Sequence, residues 1–179
     1  MSERSLPMPA AMQARLWQEA GDMPAYVVLD GAQNPSLLDA LYADHAPRWR
    51  CLFTGQLEPD MATVAPYLVE LEPSAAFTRR LLAEGWGQNW GVFLTSQLAL
   101  PALWRHVRQQ VHVYGPNMES LFFRFYDPRV MRSYLPTCPQ QQLAEFFGPV
   151  DFYFAEGEEP SRAHAWSVAD GQLVAQSVG

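Results

Sequence analysis

The sequence predicts an α/β fold: a single mixed-sheet α/β domain with flanking helices and a C-terminal antiparallel β ribbon. Three observations carry this. Between residues 25 and 150, short apolar runs alternate with segments of helical period. After Pro149, two short strand-like runs, Ala165–Val168 and Gln172–Ala175, flank Asp170–Gly171, a strong hairpin signal. Midway lies Leu121–Tyr126 (LFFRFY), where Leu121, Phe123 and Phe125 alternate with Phe122, Arg124 and Tyr126. Both faces are largely aromatic, so this run is expected to be a central strand covered on both sides.

Met8–Ala20 reads as a short amphipathic helix with Met12, Leu16, Trp17 and Ala20 on one face, closed by Gly21. It either docks on its own domain or serves as a partner-facing flap. Ala25–Leu29 is an apolar strand ended by Asp30–Gly31. An aspartate at a strand's C-terminal end is a common place for a catalytic group. Phosphatase-type sites carry a second acid two positions on, and here that position is Ala32, so Asp30 is read as a turn or cap residue. Pro35–Tyr42 follows as a helix with Leu37, Leu38 and Leu41 inward, and Arg50–Phe53 as a second strand.

Thr54–Pro66 is expected to be a loop with one irregular turn, and Tyr67–Leu71 a third strand. Ser74 can cap a helix that buries Phe77, Leu81 and Leu82, with Gly85 at the left-handed position beyond its end. The segment GWGQNWG has glycines at 85, 87 and 91, but it follows a helix and leads into the strand Val92–Thr95. A dinucleotide loop has the opposite context, so no nucleotide site is predicted there. Trp86 and Trp90 are read as packing residues or as exposed aromatic anchors for a partner.

Leu98–Gln110 is the clearest helix, with Pro101 in its first turn and Leu100, Leu103, Trp104, Val107 and Val111 along one side. Tyr114–Glu119 has turn chemistry. After the aromatic run, Asp127 can cap a helix whose first position suits Pro128, with Val130, Met131, Tyr134 and Leu135 inward. Arg129, Arg132 and Ser133 point the other way, and the two arginines are candidate partner contacts. Arg124, among aromatic neighbours, needs a carboxylate, with Asp127 and Asp30 as candidates for a structural ion pair. Pro139 opens another helix with Leu143, Phe146 and Phe147 inward, and Asp151–Ala155 is a strand.

Composition narrows the function. A hydrophobic fraction of 49% with 13% aromatics supports a packed core, and a net charge of −7 argues against binding nucleic acid. All twelve basic residues are arginine. Two cysteines are too few for a disulfide framework. The first residues lack a signal-peptide core and no run reaches membrane-spanning length, so a soluble cytoplasmic protein with no membrane partner is expected. No serine sits on a glycine-flanked elbow, and His106 and His112 have no metal-ligand spacing. Cys138, at a helix start, is the better of two weak nucleophile candidates, the other being Cys51. Glu70/Glu72 and Glu156/Glu158/Glu159 look like solvated loop ends. No cofactor, metal or catalytic residue is predicted; the alternative is a small-molecule-binding or catalytic α/β protein whose site sequence does not reveal.

RFYDPRV followed by LPTC is similar to the signature of the type VI secretion system effector adaptor family, known as effector chaperones. AYVVLDGAQNPSLLDALY (Ala25–Tyr42), RCLFTGQLEPDMATVAPYLVEL (Arg50–Leu71) and GWGQNWGVFLTS (Gly85–Ser96) fit the same family in order. The resemblance covers roughly residues 25–150. It divides the chain into an N-terminal helix or extension (1–24), an adaptor domain (25–150) and a C-terminal ribbon (151–179) packed on that domain. It implies a non-catalytic cytoplasmic adaptor that binds a secreted toxin effector and meets the VgrG-type spike protein.

Overall fold

The computed structural model describes residues 6–179. Seven strands form one sheet: β1 (Ala25–Asp30), β2 (Trp49–Cys51), β3 (Pro66–Leu71), β4 (Gly91–Ser96), β7 (Val150–Glu156), β8 (Ala163–Ala169) and β9 (Gln172–Val178). A separate two-stranded ribbon pairs β5 (His112–Tyr114) with β6 (Ser120–Phe122). The helices are α1 (Ala10–Ala20), α2 (Leu37–Leu41), α3 (Pro59–Val64), α4 (Ala76–Glu84), α5 (Leu100–Gln110), α6 (Pro128–Tyr134) and α7 (Gln140–Phe147).

The sheet order is β2-β3-β1-β4-β7-β8-β9. The expected mixed α/β domain is what forms, but its sheet does not mix directions: every pairing is antiparallel. Periodicity places side chains on faces and says nothing of which way a connecting helix returns the chain. The C-terminal ribbon β8–β9 continues this sheet, with Asp170 (φ 50°) and Gly171 (φ 75°) in the left-handed turn that such a hairpin needs.

The period-two alternation of the strands separates two cores. Tyr26, Val28, Leu94 and Tyr153 face a layer built by α5, α6 and α7 through Leu103, Val107, Met131 and Phe146. Val27, Leu29, Phe93 and Phe154 face the opposite layer, built by α1, α2 and α4 through Met12, Leu16, Leu37 and Leu81. With both faces covered, β1 and β4 are buried at every residue, as two-sided apolar strands must be. α1 therefore docks on its own sheet rather than standing off as a flap.

Four local expectations give way. Leu121–Tyr126 is not a central strand: its ladder stops at Phe122, in the exposed ribbon, and the chain then turns so that Phe125 and Tyr126 enter the core. Aromatic alternation specified burial for part of the run but not a partner strand, and the centre of the sheet is taken by β1 and β4. The 54–66 loop contains α3, a helix with no buried residue, so no apolar stripe announced it. Ser74 does not cap α4, whose N-cap position is Ala75 with no side-chain bond. Gly85 is right-handed (φ −90°), and its lack of a side chain serves packing instead, since a Cβ there would lie 2.7 Å from the Trp90 ring.

Candidate functional site

The charged residues singled out by sequence converge where the end of β1, the turn before α6 and the end of β7 meet. Asp30, the last residue of β1, is fully buried. Its Oδ1 accepts the Ala32 N–H at 2.9 Å, the turn role expected of it, and its Oδ2 accepts the Arg124 guanidinium. Arg124 thus pairs with one of its two predicted partners. The expectation that it is buried fails: its side chain is 43% exposed, because the chain here is a turn at the surface rather than a covered strand.

Asp127 takes Arg129 instead. As the N-cap of α6 it accepts the Arg129 backbone N–H at 2.9 Å, and the same carboxylate is gripped by Arg129 Nε at 3.0 Å and Nη2 at 2.7 Å. Burial alone would raise the Asp127 pKa, but these hydrogen bonds outweigh it and hold the carboxyl below its ordinary value. Arg129 is more than half exposed, as expected of it, yet it is not free. Pro128 at the first helical position and the buried Met131 and Leu135 agree with the sequence reading.

Arg132, one turn along α6, donates to the backbone carbonyl of Glu156 at 2.7 Å. Glu156, expected as a solvated loop acid, is instead buried, at 6% exposure. Its two carboxylate oxygens accept the N–H groups of Gly87 (2.6 Å) and Asn89 (2.8 Å). The glycine-rich segment does cradle an anion, but an internal one. Gly87 (φ 81°) and Asn89 (φ 55°) are both left-handed, which turns their amides toward Glu156. The Gly-Gln-Asn run was the available signal for amides turned out of a ladder. Burial raises the Glu156 pKa, and the two amides offset this only in part.

Arg129, Arg132, Gln88, Asn89, Glu156 and Glu158 thus line one open cleft of about 450 Å³. Trp86 does not: it is buried, donates its indole N–H to the Pro160 carbonyl at 2.7 Å, and fixes the loop from beneath. Trp90 is half-buried beside Phe77 and Leu81 of α4, outside the cleft. Trp86 is thus a packing residue, whereas Trp90 keeps a partly exposed face in a separate pocket beside α4.

Cys138 is not at a helix start that would activate it. Pro139 is the N-cap of α7, and the Cys138 thiol donates to the Tyr134 carbonyl at 3.4 Å. Burial pushes the thiols of both Cys138 and Cys51 up. Among the described residues, no group of three His, Cys, Asp or Glu side chains is placed to hold a metal ion, and no helix is long and apolar enough to cross a membrane.

What the cleft can do chemically is present planar donors. Arg129 and Arg132 each spend part of a guanidinium on the protein and offer the remaining N–H groups to a carboxylate or a backbone carbonyl of a visitor. Residues 25–145 match the model of a family described as a domain of unknown function, DUF4123. The match spans Asp30, Arg124, Asp127, Arg129 and Arg132, and stops short of Glu156. No curated protein and no solved structure matches the chain.

Proposed function

The chain belongs to the DUF4123 family, which is linked to type VI secretion effector adaptors, and from that membership we propose that it is a non-catalytic adaptor. It binds a secreted toxin effector and helps load it onto the VgrG-type spike protein, working in the cytoplasm without a cofactor, a nucleic acid or a membrane. The family match is the observation that carries this reading.

The geometry supports it in one respect. The Arg129–Arg132 cleft is set on rigid elements, a capped helix and the end of a sheet strand, with Trp86 and Glu156 fixing the loop opposite. A preorganised pair of guanidiniums suits recognition of carboxylates on a folded partner at low entropic cost. The test is secretion itself. In a strain lacking this protein, the cognate effector should remain inside the cell while spike secretion continues, and restoring the gene should restore export. Normal effector export without it defeats the proposal.

A further inference from the structure

The β5–β6 ribbon is the most apolar surface that the described residues leave uncovered. Of nine large hydrophobic residues counted as exposed, five lie on it: Val113, Tyr114, Met118, Leu121 and Phe122. Two three-residue strands do not make a stable unit alone. This pair is held at its base, where the Phe123 N–H meets the Val111 carbonyl at 2.7 Å and Phe122 packs on Phe53 with ring centroids 4.7 Å apart. Val113 and Leu121 sit opposite each other in the register and face solvent, while Phe122 remains 57% exposed despite its contacts. Beside it, Phe53, Leu57, Met61 and Phe122 line a cleft of about 170 Å³, room for one large apolar side chain.

A cationic stack neighbours this cleft along the chain, in a protein of net charge −7. Trp104 donates its indole N–H to the Cys51 carbonyl, two residues before Phe53. The guanidiniums of Arg50 and Arg108 both lie over its ring, at 5.1 and 4.8 Å from the centroid. Among the described residues, neither arginine pairs with a carboxylate, whereas six others do. The ribbon's own acid, Glu119, is folded back onto the Asn117 N–H.

We propose that the β5–β6 ribbon, the cleft beside it and the Arg50–Trp104–Arg108 stack form a docking surface for an acidic segment of a protein partner. One large apolar side chain of that segment fills the cleft, and its carboxylates lie over Arg50 and Arg108. Charge complementarity selects this occupant. A second copy meeting the same patch about a two-fold axis would set these arginines against themselves. The inference goes beyond the adaptor reading: it names a surface that shares no lining residue with the Arg129–Arg132 cleft, and a ligand chemistry, that hold whatever role the protein has.

The test needs neither effector nor spike, so its outcome is separate from that of the secretion experiment. A random peptide display library is panned on the purified protein, and recovered peptides are titrated by fluorescence anisotropy. The expected peptides are rich in Asp and Glu around one Leu, Phe or Trp and bind more weakly as salt rises. Affinity should fall about tenfold or more in Phe122→Ser and in Arg50→Ala/Arg108→Ala, both with wild-type circular dichroism. If Phe122→Ser misfolds, Arg50→Glu/Arg108→Glu replaces it and should exchange acidic for basic peptides. Recovered peptides without acidic bias, failure to recover any, or equal binding by the variants would overturn the proposal. So would a wild-type dimer in sedimentation that Phe122→Ser dissolves, since the occupant would then be a second copy.

Discussion

Arg124 closes on Asp30 across 94 residues of sequence, and the two partners share the contact unequally: the carboxylate side chain is 1% exposed and the guanidinium 43%. Removing the arginine strands a buried charge, whereas removing the aspartate returns a half-exposed cation to water. Breaking a buried pair from one side costs about 3–5 kcal/mol, and the water already at Arg124 points to the lower end. Arg124→Ala should therefore lose about 3 kcal/mol, roughly 6–12 °C in melting temperature for a chain of this size. Asp30→Asn keeps the acceptor for Ala32 without the charge, so the Asp30→Asn/Arg124→Ala double variant should melt above Arg124→Ala alone. Additive losses in that cycle would mean the two groups are not coupled.

That pairing was legible in the sequence as a need; its setting was not. An arginine among aromatic residues calls for a carboxylate, and Asp30 at a strand end was one of two within reason. The surrounding run, however, alternates like a strand whether or not another strand lies beside it. Only three-dimensional packing decides that Phe125 and Tyr126 are buried while Phe122 stays out. α5, α6 and α7 were readable because a 3.6-residue stripe and a cap are local properties. Sheet order and strand direction are not local, and no single run of residues displays them. Glu156 was misread for the same reason: its acceptors' partners, Gly87 and Asn89, lie nearly seventy residues away.

Asp127 and Glu156 should give opposite pH dependences. The Asp127 pKa is lowered from 3.8, so its stabilisation is present above that ordinary value and is lost as pH falls through the folded value. Asp127→Asn, whatever it costs near neutrality, should flatten the loss of stability on acidification below about pH 4. The Glu156 pKa is raised from 4.5, so its contribution is present below the ordinary value and is lost as pH rises through the folded one. As pH rises above about 4.5 the stability of wild type relative to Glu156→Gln should fall. Urea midpoints at stepped pH read both slopes, and a slope of the other sign for either residue contradicts the assignment.

Cys51 and Cys138 should behave as inert thiols. Burial raises both pKa values above the usual thiol value, so little thiolate is present near neutrality. Alkylation of the folded protein by iodoacetamide should run well below the rate for free cysteine at pH 7 and climb with pH beyond the ordinary thiol range. Labelling of Cys138 at neutral pH as fast as an activated thiol would restore it as a nucleophile candidate.

The cleft arginines test whether recognition depends on shape or on charge alone. Arg129→Ala frees one face of the buried Asp127 carboxylate, although the backbone N–H at position 129 still caps the helix; with Arg129 half-exposed, about 1–2 kcal/mol is expected. Arg132→Ala removes one hydrogen bond to the end of β7, about 1 kcal/mol. The alanine double variant is thus somewhat destabilised, and weaker effector binding by it would be ambiguous. Arg129→Lys/Arg132→Lys keeps both charges and a single donor nitrogen at each position but loses the planar fork. That variant should melt within a few degrees of wild type and keep the salt dependence of binding, because the net charge presented is the same. If the cleft reads partner carboxylates through paired guanidinium donors, its affinity for purified effector, measured by calorimetry, should still drop about tenfold or more. Wild-type affinity in the lysine variant, together with wild-type affinity in the alanine variant, would remove this cleft from effector recognition.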